Sequence, residues 1–253
     1  MSADFNSSLV TCHSPLARRE RRAFTLIELL VVIGVIALLA GGIGLALGGR
    51  GGDGVALTSA QSVLSGLVGA TRAEAALHQT SARLLVYAAQ PPNGSADKYL
   101  RYLQIVREEP FGSGKWVAAG DAVTLPAPVC VVPPAPVPAS HLATGVTWNN
   151  NVATGPVSTL VTPPLRNFSV LGQTGATTGQ LFGGAGGGSA YYLEFAPDGT
   201  VAAPAASGST KLALTTAVLA TNALPQFNNA SAVRGLLVRK TGATSLVTDA
   251  SGF

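Results

Sequence analysis

Glu28 is the one charged side chain within a long apolar run, Phe24 to Leu47. As an α-helix this run would be about 36 Å long, enough to cross a hydrocarbon core of about 30 Å. A carboxylate costs roughly 2.5–3.5 kcal/mol at mid-membrane and less near a helix end, so a compensating positive charge is expected. The chemistry that this lone carboxylate suggests is charge pairing in an apolar environment.

The string FTLIELLVVIGVIALLA, residues 24–40, resembles the N-terminal methylation motif of type IV prepilins and type II secretion pseudopilins. The resemblance implies that a dedicated prepilin peptidase cuts between Ala23 and Phe24 and methylates the new amine of Phe24. Glu28 then becomes the fifth residue of the mature chain and pairs with an amine, its own or that of a neighbouring subunit. The family usually has Gly before the cut, so Ala23 predicts slower processing. The competing interpretation is an uncleaved anchor whose Glu28 reaches the headgroups.

The residues before the apolar run predict its orientation. Residues 1–23 form the predicted leader, and four arginines stand at its end: Arg18, Arg19, Arg21 and Arg22. By the positive-inside rule the leader stays cytoplasmic, residues 24–47 cross the bacterial inner membrane once, and the remainder lies in the periplasm until it enters a pilus or pseudopilus. A conventional secretory signal has an apolar core of about 7–15 residues with its cleavage site beyond the core. Here the run is longer, and the cleavage motif precedes it.

Composition favours one exported, loop-rich β domain. Charged residues are 11% of the chain, whereas there are 30 glycines and 16 prolines. The formal charge is +4, of which the leader contributes about half, so bulk charge does not indicate a nucleic-acid-binding protein. Cys12 lies in the leader and Cys130 is then alone, so the mature chain is expected to have no intrachain disulfide.

The sequence contains no convincing catalytic motif. Gly49-x-Gly51-x-x-Gly54 formally fits a dinucleotide fingerprint, but it follows an apolar helix rather than a strand. His78 stands near a predicted helix end, where it is more often a partner of the helix dipole than a ligand. A role for Asp198 as a metal ligand is the less favoured interpretation of its turn. We therefore expect no enzyme activity, no cofactor and no metal.

The elements that position these residues follow from periodicity. Residues 48–54 read as a Gly-rich hinge, and residues 55–79 as a helix with one apolar face. Short apolar or alternating segments then predict strands: 82–88, 99–106, 115–118, 190–195, 211–219, 234–240 and 244–248. Thr241-Gly242 predicts a tight hairpin between the last two.

Two segments of biased composition interrupt the strands. The proline-dense residues 125–138 predict an extended edge or surface chain. Residues 149–189 predict long loops with one strand near Phe168–Leu171.

Three passages of the globular part resemble the GspH/FimT family of minor pseudopilins and pilins. The run SVLSGLVGATRAEAALHQTSARLLVYA, residues 62–88, is similar to the helix-then-strand passage of that family, with Thr71 inserted before Arg72. The run YYLEFAPDGTVAAPAASGSTKLAL contains a similar Phe-x-Pro-Asp-Gly turn, which Pro197-Asp198-Gly199 also predicts from its own turn chemistry. The run RGLLVRKTGATSLV resembles the closing hairpin. The resemblance implies an α+β fold, in which a long N-terminal transmembrane helix precedes a mainly antiparallel β domain, residues 55–253.

We expect a structural subunit: a minor pseudopilin of a type II secretion pseudopilus, involved in protein export. Its partners would be other pseudopilins or pilins, the prepilin peptidase and an inner-membrane assembly platform. One alternative is a minor pilin of a type IV pilus, in whose FimT-like form Arg234, Arg239 and Lys240 contact DNA during uptake. Three charges near one hairpin are more often a solvated face, so nucleic acid is not the favoured partner. The other alternative is a permanently anchored envelope protein with a ligand-binding β domain.

Overall fold

The structure, a computed structural model, describes residues 51–91, 95–166, 189–204, 208–221 and 223–253. It consists there of one long helix, α1 (Gly51–His78), followed by antiparallel strands. The predicted α+β class of the globular part is therefore confirmed. The strand predicted near Phe168–Leu171 lies outside the described residues.

Helix α1 is held by an apolar face that the sequence predicts. The residues of this face recur at three-to-four-residue spacing and are at most 3% exposed: Leu57, Ala60, Leu64, Val68, Thr71 and Ala75. Residues 51–54 are helical, so the predicted hinge is wrong there. A glycine costs about 1 kcal/mol relative to alanine inside a helix, which is less than the burial of one leucine contributes.

The helix ends in a left-handed residue. Gln79 has φ 51°. Its side-chain Nε2 donates to the carbonyl oxygen of Ala76 at 2.6 Å, and Thr80 N–H donates to the carbonyl of Ala75 at 3.1 Å. These bonds occupy two carbonyl groups that the end of the helix leaves without helical partners.

Twelve strands are present in the described part of the chain. In chain order they are β1 (Ala82–Tyr87), β2 (Tyr102–Glu108), β3 (Trp116–Ala118), β4 (Val123–Thr124), β5 (Val129–Val131), β6 (Val161–Arg166), β7 (Ser189–Phe195), β8 (Val201–Ala203), β9 (Thr210–Val218), β10 (Gln226–Phe227), β11 (Val233–Val238) and β12 (Thr244–Val247). Seven of the strands overlap the short apolar or alternating segments from which strands are predicted.

The strands form two antiparallel sheets. The first has the order β3-β2-β1-β7-β6, with β4 beside β2 and β8 beside β7. The second has the order β10-β9-β11-β12, with β5 beside β9. Helix α1 contacts β1 and β2 of the first sheet and β9 and β11 of the second, so the main core lies where the helix meets both.

The proline-dense segment is buried at its centre, residues 129–133. Its residues Val129, Cys130 and Val131 form β5, pair with β9 and are fully buried. Prolines confine such a segment to an edge because they cannot donate to a ladder, and β5 does pair on one side only. The prediction of an extended edge is confirmed, but the surface alternative is wrong. Burial raises the pKa of the Cys130 thiol to about 12, which keeps the thiol protonated and unreactive.

Candidate functional site

The predicted processing and pairing residues, Ala23, Phe24 and Glu28, lie outside the described residues, and their roles stay predictions. In the part of the chain that the structure describes, no helix combines the length and apolarity needed to cross a membrane.

The C-terminal hairpin carries the three basic residues predicted as a nucleic-acid contact. Arg234 stands near the start of β11, and Arg239 and Lys240 lie in the turn beyond its end. Five residues of extended strand place Arg234 about 16 Å from Arg239. One guanidinium nitrogen of Arg234 donates to the Thr58 hydroxyl on α1. The structure therefore keeps Arg239 and Lys240 together and puts Arg234 at the other end of the strand.

Two tight turns have the same geometry. In the hairpin, Gly242 N–H donates to the Arg239 carbonyl at 2.8 Å, and Gly242 has φ 79°. In the Pro197-Asp198-Gly199 turn, Gly199 N–H donates to the Ala196 carbonyl at 2.8 Å, and Gly199 has φ 76°. Both glycines occupy the left-handed region that side chains disfavour, so both predicted turns are confirmed.

Asp198 acts within its turn. Its Oδ1 accepts from the Thr200 hydroxyl at 2.7 Å and from Thr200 N–H at 2.9 Å. These hydrogen bonds hold the pKa of the Asp198 carboxyl below its ordinary value. The described residues contain no group of three or more His, Cys, Asp or Glu side chains placed to hold a metal ion.

Arg72 joins the two turns. Its Nε donates to the Gly199 carbonyl at 3.1 Å, and Val201 N–H donates to the Lys240 carbonyl at 2.8 Å. A Cβ on Gly242 would lie 2.5 Å from the Gly199 carbonyl oxygen and 2.7 Å from Arg72 Nε. The three passages that carry the second family resemblance thus meet at one place.

Sequence reasoning missed the role of Arg72, which falls off the apolar stripe of its helix. The signal available was a pair of turn glycines in two distant passages, but nothing local connects them. Arg72 adds a third cation to the Arg239–Lys240 turn. We call these three residues the junction cations.

A separate ion-pair network covers the end of α1. Arg107 bridges Glu74 at 2.8 Å and Glu109 at 3.1 Å, and His78 Nε2 lies 3.2 Å from Glu74. The hydrogen bond to Glu74 raises the pKa of Arg107. Partly exposed pairs of this kind contribute about 0–1 kcal/mol each to stability. The role we assign to this network is to stabilise the end of the helix.

Two buried polar groups also belong to the architecture. His141 is fully buried, and its Nε2 lies 2.9 Å from the Tyr99 hydroxyl. Lys211 is 7% exposed, and its Nζ donates to the Ala153 carbonyl at 2.9 Å. Burial lowers the pKa of both groups. Neither opens onto a cluster of reactive side chains, so their contacts are those of structural residues.

The comparison that bears on function lies at the N-terminus. Residues 18–44 match the family described as the prokaryotic N-terminal methylation motif. This match indicates a type IV pilin-like protein. It also suggests a membrane-anchored protein that a prepilin peptidase processes and that assembles into filaments with other pilins. No curated protein and no solved structure matches the chain.

Proposed function

We propose that this protein is a minor pseudopilin, a structural subunit of a type II secretion pseudopilus that takes part in protein export. The observation that carries the proposal is the methylation motif at residues 18–44, which contains both the predicted cut and Glu28. The architecture of the described residues is compatible with it, because one long helix leads into a β domain and packs against both of its sheets.

The assembly chemistry follows from Phe24 and Glu28. Cleavage creates an amine at the start of the apolar helix, and Glu28 stands one helical turn further on. In a bundle of such helices, each Glu28 pairs with the amine of a neighbour, and assembly neutralises both charges in an apolar core. The subunit is inserted first as a single-pass inner-membrane protein and is then extracted into the filament.

Intact-mass measurement of the purified chain tests the processing step. We expect a mature N-terminus at Phe24 carrying a methylated amine. Ala23→Gly restores the small residue usual in the family and should speed cleavage, whereas Ala23→Leu should block it. A chain that retains the Met1 leader in the presence of an active prepilin peptidase would remove the pilin-like assignment and leave the permanently anchored envelope protein.

Deletion of the gene distinguishes a secretion role from a pilus role. A minor pseudopilin predicts that folded secreted proteins accumulate in the periplasm while surface pili are retained. Re-expression of the wild type should restore secretion, and Ala23→Leu should not. Loss of pili with normal secretion would favour the minor pilin instead.

One observation favours a second candidate, a minor pilin that contacts DNA. Arg72 lies against the turn that carries Arg239 and Lys240, which brings a third positive charge to that turn. The sequence alone grouped Arg239 and Lys240 with Arg234, which lies at the other end of β11. Three phosphate contacts predict that log K falls with log salt at a slope of about −2.7. Replacing all three junction cations with Gln should abolish the binding, and Arg234→Gln serves as the control. Absence of DNA binding at about 50 mM salt would exclude this candidate, because electrostatic binding is strongest at low salt.

A further inference from the structure

A polar cleft of about 590 Å³ opens beside the first turns of α1. One wall comes from the helix and the other from the connection between β10 and β11. The lining includes Asp53, Leu57, Asn228, Asn229, Ser231 and Arg234. Its volume falls within the range of small-molecule sites, but its walls are mostly polar, so a polar ligand is expected.

The cleft holds two opposite charges that do not neutralise each other. Among the described residues, neither Asp53 nor Arg234 has an ion-pair partner within 4.0 Å. Arg234 is held across the cleft by its bond to the Thr58 hydroxyl. Leu57 and Val233 beneath it are 3% and 1% exposed, which gives the two charges a rigid, apolar support.

The uncharged groups of the cleft add hydrogen-bond donors. The Asn229 side-chain oxygen accepts from Ser231 N–H at 3.0 Å and from the Ser231 hydroxyl at 2.7 Å. With its oxygen engaged, the part of Asn229 that remains to recognise a ligand is its amide N–H₂. Together with Arg234, this provides donors for an oxyanion in the cleft.

The chain tethers this cleft to the end of the apolar run. Asp53 follows Leu47 by six residues, so their Cα atoms are at most about 21 Å apart whatever conformation joins them. If the apolar run crosses the inner membrane, phospholipid headgroups are polar ligands that the anchoring itself makes available to the protein.

We propose that this cleft binds a phosphoethanolamine group, with its phosphate on Arg234 and Asn229 and its ammonium on Asp53. The proposal rests on the membrane anchoring contained in the proposed function. A primary ammonium offers three N–H donors to the Asp53 carboxylate, whereas a choline group offers none. A phosphatidylglycerol headgroup has a phosphate but no cation. The cleft therefore selects the ethanolamine headgroup over the other two.

Lipid titration of the full chain in a neutral detergent tests the site. The probes are the dihexanoyl forms of phosphatidylethanolamine, phosphatidylcholine and phosphatidylglycerol, together with free phosphoethanolamine. Bound lipid is counted by native mass spectrometry. We expect the ethanolamine lipid to bind about tenfold more tightly than the other two, the effect of about one charge-assisted contact.

Single substitutions separate the cleft from the rest of the surface. Arg234→Gln and Asp53→Asn should each weaken ethanolamine-lipid binding by about tenfold and abolish the preference. Arg239→Gln, which removes a charge outside the cleft, should leave both unchanged. Thermal unfolding followed by circular dichroism shows whether each variant remains folded.

Each outcome decides one point. Free phosphoethanolamine binding as tightly as the lipid would assign the site to the headgroup alone, and weaker binding would assign it to the lipid. Equal affinity for all three lipids, or full binding by folded Arg234→Gln, would overturn the proposal. The proposal would also be overturned if Arg234→Gln abolished only the co-purification of another protein, since the occupant of the cleft would then be a protein. Because the assay uses the unprocessed chain, its failure leaves the cleavage and secretion tests intact.

Discussion

Arg72 Nε donates a hydrogen bond to the carbonyl oxygen of Gly199, 3.1 Å away and 127 residues later in the chain. The bond fixes the helix to the Pro197-Asp198-Gly199 turn of the first sheet. The bond from Val201 N–H to the Lys240 carbonyl then links that turn to the hairpin of the second sheet. One helical side chain thus sits at the point where both sheets meet α1.

The close approach at this point predicts that Gly242→Ala is strongly destabilising. The new Cβ would lie 2.5 Å from the Gly199 carbonyl oxygen, in a residue already at φ 79°. Gly145→Ala is the matched control, since Gly145 has φ 81° and nothing within 4 Å of the added atom. We expect a loss of about 1 kcal/mol for the control and about 3 kcal/mol for Gly242→Ala in urea unfolding. Equal losses for the two variants would show that the contacts of residue 242 with Gly199 and Arg72 adjust without strain.

His141 should make the free energy of unfolding depend on pH. Burial lowers its folded-state pKa below the ordinary value of 6.5. Between the two pKa values the unfolded chain binds more protons, so stability is complete above about pH 6.5 and falls as the pH decreases. Protonation also makes both ring nitrogens donors, so Nε2, which lies 2.9 Å from the Tyr99 hydroxyl, could then only donate to it.

Chemical unfolding of the wild type and His141→Asn between pH 7.5 and 5.5 checks this dependence. The wild type should lose up to about 1.4 kcal/mol for each pH unit below the ordinary pKa of the imidazole. The variant should show a flatter profile over the same range. Parallel profiles would mean that His141 does not titrate differently on folding. Asp198 and Asp249, whose pKa values are lowered, contribute at more acidic pH and lie outside this window.

Lys211→Met should destabilise the loop that precedes β6. The buried ammonium donates to the Ala153 carbonyl at 2.9 Å and the Gly155 carbonyl at 3.4 Å. Methionine fills a similar volume but leaves both acceptors without this donor, a loss of about 1–3 kcal/mol. Lys240→Met, in the exposed hairpin turn, should change stability by less than about 0.5 kcal/mol.

Hydrogen exchange locates the effect of Lys211→Met. The Gly155 amide, which donates to the Asn151 carbonyl at 2.6 Å, should exchange faster in the variant than in the wild type. Unchanged protection of this amide together with a global loss of stability would show that Lys211 supports β9 rather than the loop.

Glu28→Ala tests the assembly chemistry. Membrane insertion should be unharmed or improved, because the apolar helix loses its one charged side chain. Cleavage should persist, since the Ala23–Phe24 step is unchanged. The unpaired amine of a neighbour should cost about 3–5 kcal/mol in an apolar core, so incorporation into filaments should fall sharply. Membrane fractionation, intact mass and co-purification with partner subunits measure these three steps. Normal assembly of an inserted, cleaved variant would show that Glu28 is not an assembly contact.

Local patterns determined much of this protein. The apolar face of α1 and the short apolar or alternating runs of β1, β2, β7, β9 and β11 are local patterns, which depend only on residues close in sequence. The turns at Gly199 and Gly242 follow from the conformational freedom of glycine within a few residues. The methylation motif is likewise a contiguous string, so recognising it requires no tertiary contact.

Only the tertiary structure decided which distant groups meet. The proline-dense segment reads as an extended edge or surface chain, and its residues 129–131 are buried because β9 supplies a partner from more than 80 residues away. Arg72 stays exposed, and nothing near it in the sequence indicates that its side chain contacts the turn at Gly199, 127 residues later. Strand pairing brings together residues whose distance in sequence carries no local signal, so such contacts depend on topology rather than on pattern.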